Sequence, residues 1–168
     1  MTTDDRPEPP STGGEREMLA GFLDFHRATL LWKLEGLDDE QLRRAMVPSG
    51  TSLLGLVKHL AYVERAWFQG VWAGLEVTFP WTEEDPDADW RIEPDETTQD
   101  VLDLYHGECE RSRGIVATAS LDEVIEHPRR RGWTLNRRWI LAHMVEETAR
   151  HVGHADILRE QLDGATGE

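Results

Sequence analysis

The sequence predicts an all-α protein built as a four-helix bundle. Three observations predict it. Apolar residues recur at three- and four-residue spacing in four long stretches, which is the periodicity of a helix with one buried face. No stretch shows the alternation of a half-buried strand, and no strand–helix–strand order repeats. Residues that start or stop helices also bound these stretches: Thr51 or Ser52 before the second, Thr97 and Thr98 before the third, and Gly36, Gly74 and Gly164 after the first, second and last. At 168 residues the chain is long enough for one domain with a real core.

In chain order, Met1 to about Gly14 combines Pro, Gly, Ser, Thr and acids without apolar periodicity. It reads as a disordered tail, residues 1–14, ahead of a domain spanning residues 15–164. Leu19, Leu23, His26, Leu30 and Leu34 set the first helix, from about Glu15 to Leu34, with its stop at Gly36. The segment DDEQLRRAM reads as a short helical turn leading into the loop Pro48-Ser49-Gly50. A second long helix starts near Thr51 or Ser52 and runs to about Trp72, on the stripe Leu53, Leu56, Leu60, Val63, Trp67 and Val71, with Gly74 as its stop. The short link between these two helices suits antiparallel neighbours. Leu75 to Glu96, rich in acidic-Pro pairs and scattered aromatics, is neither helix nor strand and serves as a long crossover. Thr97 and Thr98 are N-cap residues for a third helix carrying Val101, Leu104, Tyr105, Ile115 and Val116, which Gly107 and Gly114 weaken. Ser120 with Glu123 resembles a capping box for a short helix, SLDEVIE. His127 to Gly132 is a loop. The last helix runs from about Leu135 or Asn136 to Leu162 and ends at Gly164.

Composition excludes several functions. Eighteen Lys and Arg face 33 Asp and Glu, a formal net charge of −15. A nucleic-acid binder needs cations to displace phosphate counterions, and an anionic membrane would repel this chain. No apolar run approaches the ~20 residues of a membrane span. The single cysteine, Cys109, rules out an internal disulfide and any paired-cysteine metal site. Together with an N-terminus unlike a secretory signal, this suits a cytoplasmic protein.

The last helix carries the chemical signal. Ile140, Met144, Ala155, Leu158 and Leu162 fall on one stripe, with Glu147 and His151 inside it and His143 and His154 towards its edge. A carboxylate within an apolar stripe must protonate, pair or bind metal. Glu147 and His151, at i and i+4, project side by side and can converge on one ion or hydrogen-bond to each other. A bundle-core site draws further donors from a facing helix, and His59 on the second helix or His26 on the first could supply one. Two imidazoles and a carboxylate suit zinc, with nickel, iron or manganese as alternatives. Three protein donors leave coordination open, the pattern of a catalytic centre. Arg129, Arg130 and Arg131 form the one basic cluster. They could hold the carboxylate of a cosubstrate or could simply be solvated. Trp67 and Trp139 read as core, and Trp81 and Trp90 as lid or interface residues. Cys109 reads as a small semi-buried side chain, and Glu64, Glu146 and His106 as surface.

The stretches SLLGLVKHLAYVERAWFQ (52–69) and RRWILAHMVEETARHVGHADILREQLDG (137–164) resemble the DinB-like superfamily, in particular its actinobacterial subgroup of mini-circle and mycothiol-transferase-type proteins. The resemblance covers about Glu15 to Gly164. It implies a DinB-like four-helix bundle with a divalent metal held by His59 and by Glu147 and His151. Many members have His at both of the last two positions, so Glu147 departs from that pattern. His154 falls where many relatives carry Gln. The chemistry implied is a metal-dependent S-transfer in which mycothiol or a similar low-molecular-weight thiol attacks a small electrophile. The partners implied are that thiol, the electrophile and, as a homodimer, a second copy of the chain. Two alternatives remain open at this point: a thiol-dependent isomerase of the maleylpyruvate type, whose members carry a further C-terminal domain, and a non-enzymatic, stress-associated metal-binding bundle.

Overall fold

The computed structural model describes residues 6–166. Its architecture is all-α with one small antiparallel sheet. Helix α1 (Glu15–Trp32) has Glu15 and Glu17 in its first turn, where unpaired N–H groups favour negative charge. The chain leaves it through Gly36, whose φ of 77° is a left-handed conformation that glycine adopts without strain. Helix α2 (Asp39–Arg43) is a single capped turn closed by a reciprocal Asp38–Gln41 box. Helix α3 (Leu53–Glu64) starts at Ser52, whose hydroxyl accepts the Gly55 N–H. It continues as a π-helix (Arg65–Trp72). The apolar stripe reads through to Trp72 as one helix, because a change of pitch leaves no mark in composition. Helix α4 (Thr98–Thr118) is closed at its start by a Thr97–Asp100 capping box and runs unbroken through Gly107 and Gly114. Helix α5 (Arg137–Asp163) is capped by Asn136, which accepts the Trp139 N–H, and ends at left-handed Gly164.

The segment SLDEVIE is not a helix. Strand β1 (Val124–Glu126) pairs antiparallel with β2 (Thr134–Asn136), in the register Val124–Asn136, Ile125–Leu135 and Glu126–Thr134. The Ser120 hydroxyl accepts the nearby Asp122 N–H, forming a turn rather than a cap. The carbonyls of Leu121 and Glu123 accept the N–H groups of Arg138 and Arg137, at the start of α5. Long-range pairing with β2 and α5 therefore overrides the local capping signal.

Helix α3 packs chiefly on α4, and α1 on α5, with α3 also meeting α5. Two apolar clusters fill the interior, one around Leu30, Leu56, Leu60, Val101 and Leu158, the other around Leu23, Phe68, Trp72, Ile140 and Met144. Charged groups are buried at the level between them. Arg27 lies between Leu23 and Leu30 on α1, and Glu64 between Leu60 and Phe68 on α3. Arg27 Nε and Nη2 donate to the two Glu64 carboxylate oxygens at 2.8 and 2.6 Å. Glu64 is thus no surface residue: it is 1% exposed and ties α3 to α1. Its apparent surface character came from residue type alone, whereas a paired guanidinium makes the burial tolerable.

The N-terminal segment that reads as a tail falls partly outside the described residues, at 1–5. Within 6–14, Arg6 is buried against α1: its guanidinium lies over the rings of Phe25 and Trp32 and donates to the Thr29 hydroxyl at 2.9 Å. No helix among the described residues is long and apolar enough to cross a membrane.

Candidate metal centre

Glu147 and His151 project one turn apart from the middle of α5, as their spacing requires. His151 Nε2 lies 3.2 Å from Glu147 Oε1, and this hydrogen bond holds the Glu147 carboxyl below the usual range against the opposing effect of partial burial. The buried face of α5 centres on Met144, Thr148, Val152 and Ala155. Glu147 therefore flanks that face rather than sitting in its middle, with its side chain 20% exposed. His151 is buried. The flank is where a polar pair can face a cavity instead of a dry core.

His59, on α3, comes to the same place. His59 Nδ1 lies 2.7 Å from Asp89 Oδ2, and a carboxylate can only accept, so Nδ1 donates, and in the neutral ring Nε2 is then the nitrogen with the free lone pair. Trp90 stacks on the His59 ring, with centroids 3.8 Å apart and planes 16° from parallel. Both Asp89 and Trp90 belong to the long 75–96 connection, which is seated on α3 by two devices. Buried Lys58 donates to the Arg91 carbonyl at 2.8 Å and to Glu96 at 2.7 Å. Gly55 lets the Trp90 carbonyl approach so closely that a methyl group there would collide with it.

The potential ligand atoms of His59, Glu147 and His151 all lie within 4.8 Å of one another. This donor set fits a divalent ion. Two imidazoles and one carboxylate suit borderline cations such as zinc, and the carboxylate behind His59 fixes its tautomer in the way that orients metal-ligating histidines. The three residues line a cavity of about 630 Å³. Trp90, Ser49, Thr51, Arg150 and Ile157 also line it.

Most other residues singled out in the sequence lie elsewhere, His154 and Trp90 being the exceptions. Arg129, Arg130 and Arg131 take no part in lining this cavity. Arg129 sits over Phe79 beside a second cavity bounded by Trp67 and His127, and Arg130 lies over Trp133. His26 packs edge-on against Phe25. His143 stacks on Trp139 and meets Trp67, one turn away from the cluster. His154 lines the same cavity, and its Nδ1 approaches His151 Nδ1 at 3.3 Å. Trp139 is 43% exposed and is not core; Trp67, Trp133 and His143 pack against its ring and leave the rest to solvent. Trp81 stacks on Phe79, while Trp90 is the one of the pair that reaches the site. Cys109 is buried, and burial pushes its thiol up to about 12, which disqualifies it as a nucleophile at neutral pH.

Asp89 and Arg150 escaped sequence reasoning. Asp89 is one acid among many in an irregular segment, and only tertiary placement distinguishes it. Arg150 reads as ordinary helix-surface charge. Its one local signal was its position, three residues after Glu147 and therefore on the neighbouring face.

The family model described as mycothiol-S-transferase matches this chain over residues 18–164. No curated protein matches it. In fold the chain is similar to a conserved protein from Enterococcus faecalis known by its crystal structure. The TM-score is 0.66 at 15% identity, covering 92% of this chain and 100% of the other.

Proposed function

The chain belongs to the mycothiol-S-transferase family, and from that premise we propose that it is a metal-dependent thiol S-transferase joining a low-molecular-weight thiol to a small electrophile through a new carbon–sulfur bond. The observation that carries this reading is the convergence of His59, Glu147 and His151 at a cavity wall, with His59 oriented by Asp89. We read the long helices as the DinB-like four-helix bundle, with the 75–96 connection as its crossover and 15–164 as the domain.

His59, Glu147 and His151 would hold one divalent ion, zinc being the best match to the donors. When bound, such an ion lowers the pKa of a coordinated thiol and so supplies a nucleophile at neutral pH. The chain's own groups prepare the site. Asp89 keeps the proton on His59 Nδ1. Trp90 covers one face of that ring and keeps water from it. Glu147 contributes a single negative charge, so the site retains net positive charge when loaded. With Cys109 buried, the nucleophile comes from the cosubstrate.

Two measurements test this. Elemental analysis of the parent is expected to give about one divalent ion per chain, and His59→Ala and His151→Ala to lose it with the helical signal intact. Conjugation of monochlorobimane with mycothiol is expected above the uncatalysed rate for the parent and not for His59→Ala. A parent without rate enhancement, with mycothiol or other thiols across a panel of electrophiles, would leave a non-enzymatic metal-binding bundle.

A further inference from the structure

We propose that Arg150 makes the cavity selective for a carboxylate-bearing reactant, an inference that rests on reading the site as a thiol-transfer centre. The starting observation is a contrast of charge. The chain carries a net −15, and its long-range field opposes the approach of any anion. Yet among the described residues Glu147 is the only acid lining this cavity, and it is already engaged by His151.

Arg150 stands on the same wall, exposed to the cavity. Many arginines elsewhere are matched with acids, among them Arg27 with Glu64, Arg65 with Glu108, Arg137 with Glu123, Arg138 with Asp122 and Arg159 with Asp163. Arg150 has no such partner among the described residues. Its i−4 neighbour, Glu146, lies against His143 instead. A cavity-lining residue therefore carries a permanently charged, planar donor fork with no acid matched to it, and the geometric complement of that fork is a carboxylate, which it can bind through two parallel hydrogen bonds.

The rest of the cavity suits the body of such a molecule. The Ser49 and Thr51 hydroxyls, 3.0 Å apart, supply neutral polar contacts from the α2–α3 loop. Trp90, Val47 and Ile157 supply apolar walls. The volume of about 630 Å³ matches a small organic molecule. Within an acid-rich chain, one unmatched guanidinium beside the donor cluster supplies the local attraction that an anionic reactant needs. The same group offers a neutral reactant only the weaker hydrogen bond of an uncharged acceptor.

The carboxylate could be carried by the thiol or by the electrophile, and matched probes separate the two. One pair is N-acetylcysteine and its primary amide. The other is 3-succinimidopropionate and its amide, which report on an acidic electrophile without reacting. Binding to the full chain as purified is measured by isothermal titration, for the parent and for Arg150→Gln, Arg150→Glu and Arg150→Lys. In one pair the acid is expected to bind about 10- to 100-fold more tightly than the amide, the scale of a charged hydrogen-bonded contact. Arg150→Gln is expected to bring that ratio near one, Arg150→Glu to invert it, and Arg150→Lys to keep part of it. Absence of binding, absence of an acid preference in both parental pairs, or a preference unchanged in Arg150→Gln overturns the proposal. These readouts do not depend on turnover, so a failed conjugation assay removes the transferase reading without deciding this one.

Discussion

At the scale of single residues, the molecule separates groups that are polar for structure from groups that are polar for chemistry. Asp89 belongs to the second kind, because its hydrogen bond to His59 Nδ1 fixes which nitrogen of that ring donates towards it. Asp89→Ala is expected to weaken zinc binding about 10- to 100-fold, the usual effect of losing the group behind a ligating histidine, and Asp89→Asn to recover part of it. Competition with a chelating dye measures this. Cys109 belongs to the first kind. Its thiol is pushed up to about 12 by burial, so the neutral form is favoured in the folded chain. The sign follows: its contribution to stability is complete below the unfolded thiol's pKa of about 8.5 and is lost as pH rises towards the folded value. Urea midpoints between neutral and strongly alkaline pH are expected to fall more steeply for the parent than for Cys109→Ala. Equal slopes would show that Tyr105, whose hydroxyl burial also pushes up, accounts for the whole effect.

At the scale of elements, the site depends on an irregular segment held against a regular one. The 75–96 connection has no secondary structure to stiffen it, so its register on α3 comes from Lys58 and from the close approach allowed by Gly55. Gly55→Ala places a methyl group against the Trp90 carbonyl, and the backbone there must move. The expected cost is about 1–3 kcal/mol of stability, as for other overpacked contacts. Because Asp89 and Trp90 move with that backbone, zinc affinity is expected to fall as well, although Gly55 touches no ligand. An Ala variant with parental stability and parental affinity would show that the connection is not seated by this contact.

At the scale of the whole molecule, the two apolar clusters are joined across buried charge, and the N-terminal segment adds a further seam along α1. Arg6 stacks on two aromatic rings and bonds to Thr29, contacts worth about 1–2 kcal/mol together. A chain lacking residues 1–13 is expected to fold and to keep its metal, with a Tm lowered by about 2–8 °C, given the usual 2–4 °C per kcal/mol for a protein of this size. Differential scanning calorimetry decides between that and a segment that contributes nothing. An unchanged Tm would return residues 6–14 to the free tail that their composition suggests.

The sequence by itself determined the helices, because periodicity, caps and terminal glycines are local: Thr97, Asn136, Gly36 and Gly164 act where composition places them. It also determined that Glu147 and His151 stand side by side, since an i, i+4 pair on one helix needs no tertiary information. Only the tertiary structure decided the rest. The β1–β2 pairing displaced a locally plausible helix through contacts with the start of α5. Glu64 changed from surface to interior through an arginine 37 residues away. Asp89 became the partner of His59 across 30 residues of chain. Each of these depends on groups distant in sequence, and a charged or short polar residue carries no local mark of the partner that folding will bring to it.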